Sequence, residues 1–333
     1  MKENLLRIAA AVLLGLVLPG AVIRLSKVSE PISTVGQIQT TAGNVDTGEV
    51  QINNIRVLTD EGNTQYMELE SYLSGVILAE MPTSYDHQAL CAQAVVARTY
   101  ALKRQQEVRH PQGAVCTDPS CCQAYVSETE YLSGLGYEED IVIAKAAVNA
   151  TRNMVLTYEG ELIVATYFHC AGGQTEDAVA VWGVDYPYLQ AVESPGEKEL
   201  DHYSDRIFYE IEEIESLLDR VLPGPPSSWV GRTSYTAGGG VEKMVFAGIQ
   251  YTGTQLRSLL KLNSTAFTIE PDGDGLWITT MGKGHRVGMS QNGAQAMALE
   301  GASWQDILMH YYQGTRIDKM EDVQYNTSKI SEE

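Results

Sequence analysis

Apolar positions alternate at Val50, Ile52, Ile55 and Val57, and Asp60 to Asn63 follows as a turn, so a strand opens the patterned part of the chain. The period then changes. Leu69, Tyr72, Leu73, Val76 and Ile77 recur at three- and four-residue spacing, which predicts a helix over 68–80 ended by Pro82. A longer helix is expected over 86–107, with Asp86 as its N-cap. Its alanines 89, 92, 94, 97 and 101 leave room for another backbone to approach. "RHPQGAVCTDPSCCQAY" has no period and reads as a loop. A helix over 138–154 closed at Asn153 follows, then a hairpin over 155–173 turning at Glu159-Gly160. The acidic run 205–224 reads as a helix and "PGPPSSW" as a break. Residues 240–280 read as strands with one short helix, and "PDGDG" as a hairpin turn. Two short helices come last, with a capping box of Ser303 and Asp306 and a glycine stop at Gly314.

The N-terminus carries a different signal. Lys2 and Arg7 precede a 16-residue apolar run, 8–23, and Arg24 and Lys27 follow it. No small-x-small cleavage site is clear after the run, which predicts an uncleaved signal-anchor in residues 1–27. Its first residues are expected in the cytoplasm and the rest of the chain outside. Residues 28–49 read as a polar linker, 50–317 as one folded domain and 318–333 as a polar tail.

With 333 residues and 44% apolar positions the chain can bury a substantial core. Its net charge of -20 argues against nucleic-acid binding, which needs basic patches. The glycine-rich "GKGHRVGMSQNGA" (282–294) is no dinucleotide loop, since Val287 stands where the third glycine would fall, and no P-loop, since Gly284 follows Lys283. "PDGDG" lacks the ligand spacing of a calcium loop.

Four features carry chemistry. Glu80 continues the apolar stripe of its helix, four residues after Val76. Burial there raises a carboxylate's pKa and suits it to general acid work. Arg98 lies inside the apolar "AVVARTYAL", where a guanidinium needs a carboxylate (Glu80 is one candidate) or a ligand oxygen. Tyr100, two positions on, faces elsewhere. His110, Cys116, Cys121 and Cys122 fall within thirteen residues, a set that suits tetrahedral zinc, with a disulfide the rival outside the cytoplasm. Cys91 and Cys170 read as core thiols. In "YFHCAGGQTEDA", Tyr167 and His169 sit beside glycines that allow a ligand close approach. A His169–Cys170 dyad is disfavoured, because neighbours in a strand point to opposite faces.

"ILAEMP…ALCAQAVVARTYAL", "YFHCAGGQTEDA", "VWGVDYPYLQAVESP", "TGTQLRSLLKLNSTAFTI" and "GKGHRVGMSQNGAQAMALEGASWQDILMHYY" stand in the order found in the stage II sporulation protein D family, which residues 50–317 resemble. The resemblance implies an α+β domain of helices and antiparallel strands around a glycan-binding cleft, behind one membrane anchor. It implies a lytic transglycosylase that cuts peptidoglycan glycan strands to 1,6-anhydro ends during engulfment in sporulation. A non-catalytic glycan-binding protein and an amidase activator are the competing readings. Glu80 stands at the family's acid/base position. Arg98 and Tyr100 match its Ala-Arg-Thr-Tyr motif near the cleft. The His110, Cys116 and Cys122 spacing resembles that of members that bind zinc. Tyr167, His169, His285, Ser290 and Gln291 are expected to reach the sugar. Arg286 replaces the family's usual glycine, and on this reading Arg286→Gly leaves folding intact. The acidic stretch 199–235 is expected to form one wall of the cleft. A partner amidase and a membrane scaffold are implied, with substrate strands stripped of their peptides. The chain's negative charge is expected to repel anionic stem peptides.

Overall fold

The computed structural model describes residues 54–323 apart from 60, 61 and 135. The expected anchor (1–27), the linker (28–49), Val50 and Ile52 of the first strand, and residues 324–333 of the tail lie outside the described residues. Among the described residues no helix is long and apolar enough to cross a membrane.

The described part opens with strands β1 (Asn54–Leu58) and β2 (Thr64–Glu68), then helices α1 (Leu69–Glu80) and α2 (His87–Gln106). Strand β3 (Val115–Cys116) and helices α3 (Glu128–Ser133) and α4 (Glu138–Ala150) follow. Next come β4 (Met154–Tyr158), β5 (Glu161–Leu162), β6 (Tyr167–Phe168) and α5 (Ala178–Trp182). A second group comprises β7 (Ser204–Glu210), α6 (Ile211–Leu218), β8 (Val230–Tyr235), β9 (Val241–Phe246), β10 (Ile249–Thr252), α7 (Gly253–Leu259), β11 (Phe267–Asp272) and β12 (Gly275–Met281). The chain then returns to the first group through β13 (Met289–Ser290), α8 (Gln291–Leu299), α9 (Trp304–Tyr311) and β14 (Arg316–Lys319).

The result is a mixed α/β fold with several small sheets, ordered β2-β1-β3, β10-β9-β8, β11-β12-β7, β13-β6 and β14-β4-β5. Most pairs are antiparallel as expected, but β1–β3 and β6–β13 are parallel. The β6–β13 pair matters most, because it joins the "YFHC" segment to the glycine-rich loop.

Helix α2 is the centre of the larger core. Ala89, Ala92, Ala94, Ala97 and Ala101 are fully buried, and the helix packs against α1, α4, α8, α9 and β4. Small side chains let those neighbours come close, and each fully buried Leu or Val around them contributes about 1.5–3 kcal/mol. A separate core of Tyr209, Ile214, Trp229, Phe246, Leu256 and Ile278 holds the second group together.

Two expectations change here. The run 205–224 is not one helix: Ser204–Glu210 is a strand paired residue for residue with β12, and only Ile211–Leu218 is helical. The pairing offers Ile207 and Tyr209 cross-strand neighbours, and this tertiary gain overrides a helical pattern of charges. The folded part also runs past 317. Strand β14 pairs with β4 through Lys319, and Thr157 Oγ1 donates to Asp318 Oδ2 at 2.5 Å.

Candidate functional site

Glu80 is the last residue of α1. Its helix ends there because Met81 turns to extended backbone ahead of Pro82. The carboxylate is half-buried and projects into a cavity of about 780 Å³. Its Oε1 accepts from the Ala124 backbone N–H at 2.7 Å and lies 3.1 Å from the Tyr167 hydroxyl. Burial raises the pKa of Glu80, and hydrogen bonding from Ala124 and Tyr167, with the Gln291 amide nearby, opposes the rise.

Tyr167 enters the site from β6. Its hydroxyl is also 3.2 Å from Gln123 Oε1, so its single proton serves one acceptor at a time. Gln123 Nε2 in turn donates to the Tyr72 hydroxyl at 3.0 Å. Gln123 and Ala124 directly follow Cys122, so the cysteine loop supplies half of the groups that hold Glu80 in place.

The cavity is also lined by Tyr100, His169, His285 and Gln291, as the sequence suggests, and by Trp182, Tyr186 and Arg257, which it did not single out. His169 Nε2 and Gln291 Nε2 are buried with no hydrogen-bond partner among the described residues. Burial, with His202 and Lys283 nearby, pushes His169 down to about 4. His285 is likewise pushed to about 4, by burial and by Arg257. Its Nδ1 accepts from the Val287 N–H at 3.1 Å, which leaves the neutral ring's proton on Nε2. Cys170 is fully buried, and the side chains beside its thiol are those of Glu197 and Asn292 rather than His169.

Two residues expected at the sugar are elsewhere. Arg98 is fully buried, paired with Glu70 rather than Glu80 at 2.5 Å, and donates to the backbone carbonyls of Met154 and Val148. With four of its five N–H donors committed in the core, and no place in the cavity lining, this guanidinium is not set to receive a ligand. Ser290 is also fully buried; it caps α8 through Gly293 N and hydrogen-bonds Glu197. Its hydroxyl is committed to the loop's own structure.

The glycines of 282–288 have a structural reason as well. Gly282, Gly284 and Gly288 all have positive φ, and a Cβ on Gly288 or Gly282 would collide with the carbonyls of Thr166 or Cys170. They let two backbones touch, rather than opening the loop to substrate. Arg286 shares the left-handed conformation (φ 65°). Its side chain is buried, pairs with buried Glu176 at 3.2 Å and donates to the carbonyls of Ala171, Gln174 and Gly238. Arg286 is therefore a bolt between the loop and the β8–β9 connection, and these contacts favour a loss of stability on its removal over the unchanged folding expected from the sequence.

The acidic stretch 199–235 lines none of the cavity; its Tyr209, Ile214, Leu222 and Trp229 pack into the second core, and Arg257, Leu262 and Asn263 line the cavity instead. The cavity also reverses the chain's overall sign. Arg104, Arg109, Arg257 and Lys283 line it, and Glu80 is its one carboxylate among the described residues. Repulsion by the chain's net charge therefore does not describe the site itself.

The ligand atoms of His110, Cys116, Cys121 and Cys122 lie within 4.8 Å of one another, and this cluster could hold a metal ion. His110 Nε2 is 3.3 Å from Cys121 Sγ and 3.5 Å from Cys122 Sγ. Both distances are near the spacing of donors around one tetrahedral ion, roughly 3.3–3.8 Å for bonds of about 2.0–2.3 Å. The cysteines are free thiols. Burial and the neighbouring Cys116 push the Cys122 thiol up to about 12, a cost that a cation among these thiols removes.

Comparison with known proteins shows the family. The SpoIID family model, described as Stage II sporulation protein, matches residues 59–158, which carry Glu80 and the cysteine loop. The chain is 37% identical over 267 residues to stage II sporulation protein D of Bacillus subtilis (strain 168), covering 78% of this chain and 77% of that protein. It is 35% identical over 267 residues to stage II sporulation protein D of Bacillus amyloliquefaciens, with the same shares, 78% and 77%. A more distant relative is the amidase enhancer of Bacillus subtilis (strain 168), 26% identical over 299 residues, with 74% of this chain and 40% of that protein covered. The chain belongs to the family of stage II sporulation protein D.

Proposed function

We propose that the protein is a lytic transglycosylase that cleaves the MurNAc–GlcNAc bond of peptidoglycan glycan strands. The observation that carries this is Glu80: one half-buried carboxylate, raised in pKa, in a cavity lined by no other carboxylate among the described residues. A glycosidase that activates water needs two carboxylates. Here the muramic acid's own 6-hydroxyl does the work of the second.

Protonated Glu80 gives its proton to the glycosidic oxygen as the C1–O bond breaks. The 6-hydroxyl oxygen then bonds to C1, and Glu80 takes back the hydroxyl proton. The product is a 1,6-anhydro end, and no water is consumed. Proximity of the internal hydroxyl lowers the barrier as an intramolecular reaction does. Tyr167 steadies the carboxylate when it is charged. Gln291 Nε2, and His169 Nε2 in the tautomer that carries its proton there, are donors for sugar oxygens, and Trp182 and Tyr186 offer ring faces for the sugar.

Zinc fits the donor set of His110, Cys116, Cys121 and Cys122. When bound it would neutralise the thiolates and cross-link the loop from which Gln123 and Ala124 reach the site. In the cell the protein would act outside the cytoplasm on a single-pass anchor at 8–23, beside an amidase during sporulation. The charge pattern of the N-terminus and the family membership support that placement.

The test is direct. The full-length protein and Glu80→Ala are incubated with denuded glycan, and products are read by mass spectrometry. The proposal fails if no anhydro-muramyl product appears, or if Glu80→Ala still makes it. The similarity to a protein named amidase enhancer favours one second reading. In that case the protein speeds an amidase, and Glu80→Ala does so equally well.

A further inference from the structure

The cavity is cationic in a chain with 43 acidic and 23 basic residues. Its four cations are not equally free. Arg104 is paired with Glu107 at 2.5 Å and lies over the Tyr100 ring. Arg109 is exposed and donates to the Cys121 carbonyl at 3.2 Å. Arg257 is different: half-buried, it forms no ion pair among the described residues, and its one hydrogen bond there is from Nε to the Leu262 carbonyl at 3.4 Å. Both of its terminal nitrogens are left without a partner among those residues.

Arg257 sits on the same wall as the glycine-rich loop. The Asn263 carbonyl accepts from Gly284 N–H at 3.0 Å, which ties the segment under Arg257 to Lys283 and His285. Lys283 also lacks an ion pair among the described residues; its Nζ is 3.5 Å from His202 Nε2. The charge influence on Arg257 is repulsive, from buried Arg286. A half-buried guanidinium with a cationic neighbour is unfavourable unless an anion arrives. Its planar fork matches a carboxylate in two-point contact.

We propose that Arg257, assisted by Lys283, is the specificity-determining receptor for a free sugar carboxylate in the cavity. It rests on the glycan substrate proposed above. In such a strand each muramic acid carries a lactyl group, which is a free carboxylate when unsubstituted and a neutral amide when a peptide is attached. Arg257 thus reads the chemical difference between a bare muramic acid and a substituted one.

The experiment separates binding from cleavage. Full-length Glu80→Gln is titrated with denuded strands and with the same strands after conversion of their lactyl carboxylates to methylamides. The expected result is binding roughly ten- to hundredfold tighter to the free acid, as for a hydrogen-bonded charge pair. That preference shrinks as salt is raised. Adding Arg257→Gln removes the preference and leaves methylamide affinity unchanged, and Arg257→Lys retains part of it. Circular dichroism checks that each variant is folded. Equal affinity for both strands in the parent, or an equal loss for both in Arg257→Gln, overturns the assignment. If the wild-type protein cleaves nothing but still prefers the free acid, the transglycosylase reading fails and this one stands. If it cleaves glycan but shows no preference, the transglycosylase reading stands and this one fails.

Discussion

The Tyr167 hydroxyl lies 3.1 Å from Glu80 Oε1 and favours the charged carboxylate against a burial that raises its pKa. Because Glu80 must carry its proton to act first as an acid, activity should fall as pH rises through its pKa. Tyr167→Phe removes one group that lowers that pKa, so the alkaline limb of the rate profile should move to higher pH. A limb that stays put, or moves down, would show that the contact does not tune Glu80.

Glu80→Gln keeps the shape of the side chain but carries no proton to give. Turnover of denuded glycan should drop about 10²- to 10⁴-fold, the usual range for losing a general acid. Thermal stability should change little, since Glu80 is only half-buried. A residual rate near wild type would assign the acid elsewhere.

The bond between Arg286 and Glu176 gives a stability prediction. Both side chains are almost wholly buried, and Gly238 and Gly240 pack directly on the Glu176 carboxylate. Arg286→Gly should cost about 3–5 kcal/mol, because it strands a buried carboxylate. Pairing it with Glu176→Gln should recover part of that loss, and denaturant unfolding of the two single variants and the double measures the coupling. Additive losses would contradict a direct pair.

The cysteine cluster predicts about one zinc per chain by elemental analysis of protein kept reduced. Chelation should lower the melting temperature and the glycan-cleaving rate together, because Ala124 and Gln123 hang from Cys122. Cys122→Ser should do the same. Melting that is indifferent to chelator would remove the metal from the picture.

His169 and His285 should both titrate near pH 4 by NMR. Unfolded imidazoles take up protons near pH 6.5. Between those values the unfolded chain binds more protons, so stability should be full above about pH 6.5 and fall as pH drops toward 4. A stability curve flat across that window would contradict the burial of these rings.

Much of the site was legible before the fold. Glu80 stands out because a charge continues an apolar stripe, and periodicity exposes that in one helix. The cysteine and histidine spacing marks the cluster in the same local way, and Ser303 with Asp306 forms the capping box that their spacing suggests. Arg98 was visible as an oddity, but its partner was not. Glu70 is 28 positions away and lies on another helix, so only packing could bring it closer than Glu80. Gln123 and Glu176, in loops, and Arg257, on the short helix α7, carry no local signal, since a polar residue reads the same there whether it faces water or a charged partner.

The sequence by itself indicated α1, α2 and α4, a carboxylate at the end of the α1 stripe and the His/Cys donor set, because each depends on neighbours a few residues apart. It could not assign 204–210 to a strand, because that preference comes from β12, about seventy positions later. Nor could it give the glycines and Arg286 their roles. Those depend on the backbone of 166–176 lying against the loop, a contact across more than a hundred residues that exists only once both cores have packed.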